Sequence, residues 1–439
     1  MSIFKAYDIR GIVGKELDEA LAHRIGRGFA TMLKPKTVVI GRDMRPHSVG
    51  LSEALAAGLT RQGVNVIDLG LISTPMCYYG NGTLKADASI MITASHNPGE
   101  YNGFKLCRAN AVPISGQTGI QELEDIVIRN AFDPEPAQPG TLSEHNIRPA
   151  YIQHIQAFAD LIRPLNVAVD YANAMGIAEA EALKGLFHIS PLFDTYDGTF
   201  PNHEANPLDP DTFESLTAHV KSGTFDFGIA FDGDADRVGF VDENGDIVSM
   251  DMITALIAKA LLAMEKGVVF YDLRSSKAVK ELIEDNGGEA RMCRVGHAFI
   301  KQQMREANAV FAGELSGHYY FRENFFTESS ALAVLMIANL VSHSGQTLSQ
   351  LVAPIRKYAA SGEINSRVQD PKAVFAKIRT SFPDAQFYEL DGLTVDYPDW
   401  WFNVRMSNTE PLCRLNLEAP TPAEMAQHRD QVLSLIRSC

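Results

Sequence analysis

The segment DGDADR, residues 232–237, carries aspartates at three alternate positions, namely Asp232, Asp234 and Asp236. They follow an apolar run, and Gly233 lets the backbone turn tightly between the first two. Three carboxylates this close repel one another unless a cation lies between them, and their hard oxygens favour Mg²⁺ or Ca²⁺ over softer metals. A solvated acidic turn is the alternative, but such a turn has no need of three carboxylates between apolar runs. The pattern therefore predicts a metal site.

An EF-hand calcium loop is a second interpretation of the same segment, because Glu243 is the twelfth residue counted from Asp232. The sixth position of that loop requires glycine for its sharp turn, and Arg237 stands there. The flanking residues also have the pattern of strands and not of helices. Calcium signalling is thus the minor interpretation.

A serine, a histidine and an amide follow an apolar, β-prone run in MITASHNPGEYNGFKL, residues 91–106. These are Ser95, His96 and Asn97, with Lys105 further along. Adjacent serine and histidine suggest a hydrolase. However, neighbouring side chains on a strand point to opposite faces, and the G-x-S-x-G elbow is absent from the sequence. The hydrolase interpretation is therefore weak, and the segment needs another explanation.

The segment RMSNTEP, residues 405–411, has the composition of an anion site. Arg405 offers a planar fork of donors, and Ser407 and Thr409 offer hydroxyls. Together with the amides of a tight turn, these groups suit a phosphate. An ordinary hairpin turn rich in serine and asparagine is the alternative.

A second glycine-bounded segment, AGELSGHYYF at 312–321, contains Glu314 and Ser316. A carboxylate and a hydroxyl can form paired hydrogen bonds with adjacent sugar hydroxyls, although an ordinary loop would have the same composition. Nearby, RVGHAFIK at 294–301 offers His297, and a lone histidine beside apolar residues is more often packed than catalytic.

Short β-branched runs alternate with amphipathic stretches along most of the chain, which indicates an α/β architecture. A strand followed by a helix occurs three times with weak identity, which predicts three similar α/β layers. The strand–helix pairs are 37–43 with 48–62, 166–171 with 177–186, and 267–274 with 276–286.

Two further stretches define the outer boundaries of these layers. FDPEPAQPG at 132–140 contains three prolines and disfavours both helix and central strand, so we interpret it as a linker. After residue 357 the pattern predicts a small α+β domain. Its predicted elements are a strand at 362–368, a helix at 371–381, strands on either side of Asp391-Gly392, a strand after Pro411 and a helix from Pro422.

Composition restricts the class of protein. The 439 residues, of which 46% are apolar, exceed what one core usually serves and predict several domains. A formal charge of −15 argues against sequence-independent nucleic-acid binding. The longest nearly apolar run, 331–341, is too short to span a membrane. The five cysteines are scattered without a C-x-x-C pair, which fits a reducing cytoplasm.

Taken together, these motifs resemble those of the α-D-phosphohexomutase family, in its phosphomannomutase/phosphoglucomutase branch. TASHNP is similar to the family's phosphoserine loop, DGDADR to its metal loop, GELSGH to its sugar-binding loop and RMSNTEP to its phosphate-binding loop. The four occur in the family's order, and the resemblance covers nearly the whole chain.

The resemblance implies three similar mixed α/β domains and a C-terminal α+β domain around a central cleft. Each domain is then expected to carry one of the four motifs. The predicted ranges are 1–137 with the phosphoserine loop, 138–248 with the metal loop, 249–356 with the sugar loop and 357–439 with the phosphate loop.

It also implies roles for individual residues. Ser95 is expected to carry a phosphoryl group and, with the three aspartates, to bind Mg²⁺. Lys105, His297 and Arg237 are the other expected catalytic residues. Arg274 stands where the family has lysine; it keeps the charge, offers a fork of donors in place of an ammonium, and is expected to contact substrate. The remaining expected substrate-binding residues are Tyr7, Arg10, His96, Asn97, Glu314, Ser316, Arg405, Ser407, Asn408 and Thr409.

The implied activity is reversible interconversion of mannose 6-phosphate and mannose 1-phosphate, extending to glucose phosphates. It would proceed through a phosphoserine and a hexose 1,6-bisphosphate intermediate. The expected partners are hexose phosphates, with neither nucleic acid nor membrane, and the oligomeric state stays open. Two alternatives remain: a phosphoglucosamine mutase, which usually has glutamine where Leu315 stands, and a non-catalytic sugar-phosphate-binding relative.

Overall fold

The computed structural model describes residues 2–368, 370–406 and 412–438. Within these ranges the strands form four sheets. No helix of the described chain is both long and apolar enough to cross a membrane.

The first sheet and the helices packed on it come from the N-terminal part of the chain. Its strands are β1 (Ile9–Ile12), β2 (Thr37–Arg42), β3 (Asn65–Leu71), β4 (Ala88–Ile92), β5 (Tyr101–Arg108), β6 (Val112–Pro113) and β7 (Leu142–Glu144), and its helices are α1 (Glu19–Leu33), α2 (Ser48–Arg61), α3 (Thr74–Thr83) and α4 (Ile120–Arg129). The last strand, β7, pairs with β3 although it lies beyond the predicted linker at 132–140.

The second and third sheets each have five strands. The second part contains β8 (Leu165–Asp170), β9 (Phe187–Leu192), β10 (Phe227–Phe231), β11 (Val238–Asp242) and β12 (Ile247–Val248), with α5 (Arg148–Gln156), α6 (Gly176–Glu179) and α7 (Glu214–Ser222). The third contains β13 (Val268–Asp272), β14 (Glu289–Cys293), β15 (Phe311–Gly313), β16 (Tyr319–Phe321) and β17 (Thr327–Glu328), with α8 (Met250–Met264), α9 (Lys277–Asp285), α10 (His297–Ala307), α11 (Ser330–Ser344) and α12 (Leu348–Val352).

These three sheets share one pairing pattern, which confirms the predicted similarity of the α/β layers. The first strand of each strand–helix pair (β2, β8 or β13) lies between two parallel neighbours. One neighbour (β4, β10 or β15) then pairs antiparallel with the next strand along the chain.

This shared pattern places three of the motifs at equivalent points. Ser95 follows β4, Asp232 follows β10 and Glu314 follows β15. Each of these strands is followed by the turn into its antiparallel neighbour, so the three loops leave corresponding strand ends. The loops after β4, β10 and β15 differ in sequence but occupy equivalent positions in the three layers, which explains how they can meet at one place.

The fourth sheet is antiparallel and forms an α+β domain, as predicted. Its elements match the predicted positions closely. They are β18 (Ala359–Ala360), β19 (Ile364–Arg367), β20 (Gln386–Tyr388), β21 (Leu393–Asp396), β22 (Trp401–Met406) and β23 (Leu412–Ala419), with α13 (Pro371–Ser381) and α14 (Pro422–Arg437).

One predicted helix is shorter than expected. The sequence predicts a helix over 177–186, but α6 ends at Glu179 and continues as a 3₁₀ segment, Ala180–Leu183. Glu179 is fully buried here and accepts hydrogen bonds from Ser73 Oγ, at 2.6 Å, and from the Tyr151 hydroxyl. Burial raises the pKa of Glu179 to about 7 in spite of these bonds. The helical segment ends where Lys184 is extended and Gly185 has a φ of 83°, in the left-handed region that glycine tolerates.

The apolar core is continuous where the first three layers meet. One cluster of buried side chains includes Met76 of α3, Phe231 of β10 and Ile337 of α11. The rest of the first layer has its own core, and so does the fourth domain. The loops after β4, β10 and β15 thus extend from strands that pack on a common apolar core.

Candidate active site

The Ser95 loop turns sharply after β4. Ser95 is buried, with 1% of its surface exposed, and has a φ of 51°, in the left-handed region. Its hydroxyl donates to Asp232 Oδ2 at 3.0 Å and lies 3.3 Å from His96 Nδ1. The prediction that the Ser95 and His96 side chains point to opposite faces is therefore wrong, because both residues lie beyond the strand end. The predicted meeting of Ser95 with the aspartate segment is present.

The aspartate loop packs directly against the Ser95 loop. A Cβ atom on Gly233 would lie 2.2 Å from the Ser95 carbonyl oxygen, so only glycine fits this contact. Asp232, Asp234 and Asp236 are all buried, and carboxylate oxygens from the three lie within 4.8 Å of one another.

This carboxylate cluster has the properties of a hard-cation site. Asp234 Oδ1 is buried and has no hydrogen-bond partner within the described ranges. Burial, with repulsion from Asp236 and Asp234, raises the pKa of Asp232 well above its ordinary value. Hard oxygens that repel one another and retain an unpaired acceptor fit Mg²⁺ well, so the three aspartates can hold a metal.

Lys105 neutralises part of this negative charge. Its ammonium donates to Asp234 Oδ2 at 2.6 Å and also to Asp236 Oδ2. Burial alone would lower the pKa of Lys105, but the two carboxylates raise it above the usual value. Burial alone would also raise the pKa of Asp236, but the positive charges of Lys105 and His318 lower that pKa well below the usual range. Lys105 therefore keeps its charge beside the aspartates.

His318 joins the aspartate loop to the sugar loop, although we assigned it no role from the sequence. Its Nε2 lies 3.3 Å from Asp236 Oδ1, and its Nδ1 lies 3.1 Å from Glu314 Oε2 and 2.9 Å from Ser316 Oγ. Burial and Arg237 lower the pKa of His318, but the carboxylates outweigh them and raise it to about 9. The motif GELSGH contained this residue; its partner in another layer was not visible in the sequence.

Glu314 is held in a defined orientation. Tyr320 donates to its Oε2 at 2.6 Å, and the Gly296 amide donates to its Oε1 at 3.1 Å. Burial would raise the pKa of Glu314, but the bonds from His318 and Tyr320 keep it well below the usual value. The carboxylate is thus ionised and rigid, as an acceptor for hydroxyl groups should be.

His297 begins α10 beside the N-terminal segment. Its ring lies 5.7 Å from the Tyr7 ring in an edge contact. Burial and the charge of Lys301 lower the pKa of His297 well below its ordinary value. Lys301 itself is buried, with its Nζ 2.6 Å from Glu328 Oε2, a pair that we did not predict. The structure brings Tyr7 and His297 together as substrate-site candidates.

Three other predicted basic residues surround the same region. Arg10 Nε is 2.7 Å from Asp8 Oδ2, and its Nη1 donates to Asn97 Oδ1. Arg237 Nε lies 3.9 Å from Asp232 Oδ2. Arg274 forms a bidentate pair with Asp272, at 2.7 and 3.2 Å. Asp272 also accepts from the Leu315 amide at 2.7 Å, which ties Arg274 to the sugar loop.

The fourth domain contributes Arg405 from the end of β22. Its Nη2 donates to Glu363 Oε2 at 2.7 Å, and Arg414 on the neighbouring strand reaches the other oxygen of Glu363 at 3.2 Å. Arg405 also lowers the pKa of Tyr7, against a larger increase caused by burial, so its charge acts on the N-terminal segment. The predicted partners Ser407, Asn408 and Thr409 lie outside the described residues.

Four family models match the chain in consecutive order. They describe the α/β/α domains I, II and III of phosphoglucomutase/phosphomannomutase, at residues 1–133, 149–245 and 249–358, and its C-terminal domain, at 363–435. The chain belongs to the phosphoglucomutase/phosphomannomutase family. It is therefore a phosphohexomutase, an isomerase that transfers a phosphoryl group, and the family resemblance seen in the sequence is confirmed.

Relatives in this family align over nearly the full length. The "Phosphohexose mutases" protein of Xanthomonas campestris pv. campestris is 43% identical over 98% of both chains. The phosphomannomutase of Methanocaldococcus jannaschii is 40% identical over 99% of this chain and 98% of its own. A crystal structure of a phosphoglucomutase/phosphomannomutase family protein from Burkholderia thailandensis superposes with a TM-score of 0.92 at 31% identity, covering 99% of this chain and 97% of that one. The predicted fold class is thus confirmed.

Proposed function

We propose that the protein is a phosphomannomutase that also accepts glucose phosphates, with Ser95 as the phosphoryl carrier. The observation that carries this proposal is the 3.0 Å contact between Ser95 Oγ and Asp232 Oδ2 at a buried cluster of aspartates. The support for a cation and a transferring group at this point is that the Ser95 hydroxyl borders a cluster of three buried aspartates, in which Asp234 Oδ1 has no hydrogen-bond partner within the described residues. The names of the relatives support the choice of mannose.

In the proposed reaction, the bond between Ser95 Oγ and phosphorus breaks as a sugar hydroxyl forms a new bond to phosphorus. The hydroxyl proton passes to a protein base, for which His297 is the candidate because its lowered pKa leaves the imidazole neutral; Lys105, which keeps its charge, instead stabilises negative charge. The freed Ser95 oxygen takes up a proton, and the resulting hexose 1,6-bisphosphate reorients in the site. Its other phosphoryl group then passes to Ser95 Oγ, while the Ser95 proton passes by way of the base to the sugar oxygen that is released. The reaction is therefore an isomerisation with no net consumption of phosphate.

Charge stabilisation accounts for most of the catalysis in such a transfer. A Mg²⁺ ion bound by Ser95 and the three aspartates would neutralise negative charge on the transferring group. Arg237 and Lys105 lie beside the same carboxylates and supply further positive charge. His96 and Asn97 belong to the Ser95 loop and Arg10 donates to Asn97, and these three residues are proposed to hold the loop and the substrate.

The sugar is proposed to bind at Glu314 and Ser316, with Tyr7 and Arg274 beside them. An ionised, fixed carboxylate next to a hydroxyl suits the adjacent hydroxyls at carbons 3 and 4. Mannose and glucose differ only at carbon 2, so these contacts do not distinguish them. This reasoning predicts acceptance of both hexoses, in keeping with the relative named for phosphohexoses.

The substrate prediction is tested by measuring kcat/KM for mannose, glucose and glucosamine 1-phosphates with saturating bisphosphate activator. We expect the two hexose phosphates to be used efficiently and glucosamine 1-phosphate at least about tenfold less well. The reason is that a nitrogen substituent buried without hydrogen-bond partners costs about 1–3 kcal/mol. A clear preference for glucosamine 1-phosphate would instead identify a phosphoglucosamine mutase, and rejection of one hexose would show recognition at carbon 2.

A second prediction concerns the phosphate that is not reacting, which we place at Arg405, Ser407, Asn408 and Thr409. Arg405→Ala is expected to raise KM for the hexose phosphate at least about tenfold, since a hydrogen bond to a charged group contributes about 1.5–3 kcal/mol. Arg414→Ala is the matched control because both arginines bind Glu363. We expect it to change KM less than about threefold, a rim charge being worth about 0–1 kcal/mol. Equal effects of the two variants would place the second phosphate elsewhere.

A further inference from the structure

A fully buried arginine lies beneath the Ser95 loop. Arg45 follows β2, and none of its side chain is exposed. Its Nε lies 3.3 Å from Asp43 Oδ2, and this carboxylate is equally buried. Burying a guanidinium costs folding free energy unless its N–H groups form hydrogen bonds. The partners of the other two nitrogens therefore indicate the role of Arg45.

Those two nitrogens donate only to main-chain carbonyls of one short segment. Nη2 donates to Ser95 O at 2.9 Å and to Asn97 O at 2.6 Å. Nη1 donates to Pro98 O at 2.7 Å and to Tyr101 O at 2.9 Å. One rigid, planar group thus fixes four carbonyls of the seven-residue segment 95–101.

This arrangement determines how Ser95 is presented. A trans peptide directs its C=O and N–H to opposite sides, so a Ser95 carbonyl held by Arg45 turns the His96 N–H away from Arg45. Ser95 also has its φ of 51°, a conformation that costs about 1–2 kcal/mol for a residue with a Cβ atom. Such a conformation persists only where its surroundings impose it, and the hydrogen bonds from Arg45 do so.

The second layer covers the same arginine. The Phe200 ring lies 5.1 Å from Arg45 Cζ, and a Cβ atom on Gly198 would lie 2.6 Å from Arg45 Cα. Phe200 also approaches Gly233 of the aspartate loop, at 3.7 Å from the position of a Cβ there. Arg45 is therefore packed between the loop that carries Ser95 and the layer that carries the aspartates.

We propose that Arg45 is a positioning residue that sets the Ser95 hydroxyl at transfer distance from the aspartate cluster. The inference rests on the proposed role of Ser95. The bonds from Nη1 and Nη2 go to the loop, and Nε faces the buried Asp43 carboxylate, so Arg45 does not reach substrate and its effect should fall on the rate of phosphoryl transfer and not on hexose-phosphate binding. A displacement of about 1 Å at a reacting group can lower a rate about 100-fold.

The test compares Arg45→Lys with Arg305→Lys. Lysine keeps the charge near Asp43 but cannot bond four carbonyls from one plane. Arg305 is a matched control because it also donates to four carbonyls, at distances between 2.6 and 3.3 Å, and none of them belongs to residues 95–101. Both variants should lose a similar amount of thermal stability.

Only Arg45→Lys is expected to slow the chemistry. Its kcat should fall about 100-fold with KM changed less than about threefold, whereas Arg305→Lys should stay within about threefold of wild type in both. Intact mass after rapid mixing with hexose 1,6-bisphosphate gives the rate of Ser95 phosphorylation directly. That rate should fall with kcat in Arg45→Lys alone, which a general loss of stability would not produce.

The outcomes separate the two proposals. If the wild-type enzyme is phosphorylated at Ser95 but the two lysine variants have equal kcat, only the positioning role of Arg45 is overturned. Absence of phosphorylation in the wild-type enzyme overturns the proposed function, and the inference with it. If Arg45→Lys does not fold, Phe200→Leu takes its place, since it removes the ring over the guanidinium; we expect kcat to fall about threefold with KM unchanged. An unchanged kcat in that variant would then count against the proposal.

Discussion

Ser95→Ala is expected to lower kcat by at least about 10⁴-fold, since removing a covalent nucleophile leaves only binding and electrostatic contributions to the reaction. The fold should survive because the change deletes one hydroxyl and opens no cavity in the apolar core. Affinity for hexose phosphates should change little, because the proposed sugar and second-phosphate sites lie on other loops. The measurement is steady-state kinetics together with isothermal titration with mannose 1-phosphate.

Intact mass gives this prediction a second readout. Wild-type protein incubated with hexose 1,6-bisphosphate should gain one phosphoryl group, and Ser95→Ala should gain none. Ser89→Ala is the matched control, because Ser89 is a buried serine of β4 whose hydroxyl accepts from Asn81 at 2.8 Å. That variant should lose stability but keep its phosphorylation and turnover. Near-normal turnover in Ser95→Ala would show that Ser95 does not carry the phosphoryl group.

The parts of the fold that could be predicted are those determined by local pattern. Pro371–Ser381 and the helix from Pro422 begin at proline and have clear helical periodicity, and the structure has them at the predicted positions. The strands around Asp391-Gly392 follow from turn chemistry in the same way. The helix predicted over 177–186 was too long because it ran through Gly185, which has a φ of 83° and follows the extended Lys184.

In the candidate site, too, residues in local motifs could be predicted and residues that act through distant partners could not. Asp232 could be predicted from residue types and spacing in a short motif, and Ser95 only from the resemblance of its motif to the family's phosphoserine loop. Arg45 and His318 could not, since their importance lies in partners 50 or more positions away, such as the Ser95 carbonyl and Asp236. A residue that acts by fixing the backbone of another loop has no local signature. Its role becomes visible only when the layers are assembled.

Removal of divalent metal is expected to lower kcat at least about 10³-fold, with recovery on addition of Mg²⁺, because a bound ion would neutralise several charges at the transferring group. Among the described residues, Lys105 is the only cationic side chain closer than 3 Å to these carboxylates, and it contacts Asp234 and Asp236 but not Asp232. Chelation followed by metal add-back measures this effect. Full activity of the chelated enzyme would exclude a catalytic metal at the aspartates.

Binding itself gives a readout that does not depend on turnover. Mg²⁺ should raise the melting temperature of the wild-type protein by mass action, and Asp234→Asn should abolish that increase. The matched control is Asp242→Asn, since Asp242 is also buried but accepts from the amides of Asn244 and Asp246, at 2.9 and 3.0 Å, in a separate turn. It should lose stability and still respond to Mg²⁺.

The pH dependence of metal binding follows from the raised pKa of Asp232. A cation binds the ionised carboxylate, so binding must release any proton held there. Because burial and its neighbours raise the pKa of Asp232, protonation competes with the metal at a higher pH than for an ordinary aspartate. Affinity for Mg²⁺ should therefore fall as the pH decreases through this raised pKa, with proton release in calorimetry performed in two buffers of different ionisation enthalpy. A pH-independent affinity without proton release would show that Asp232 is already ionised before the metal binds.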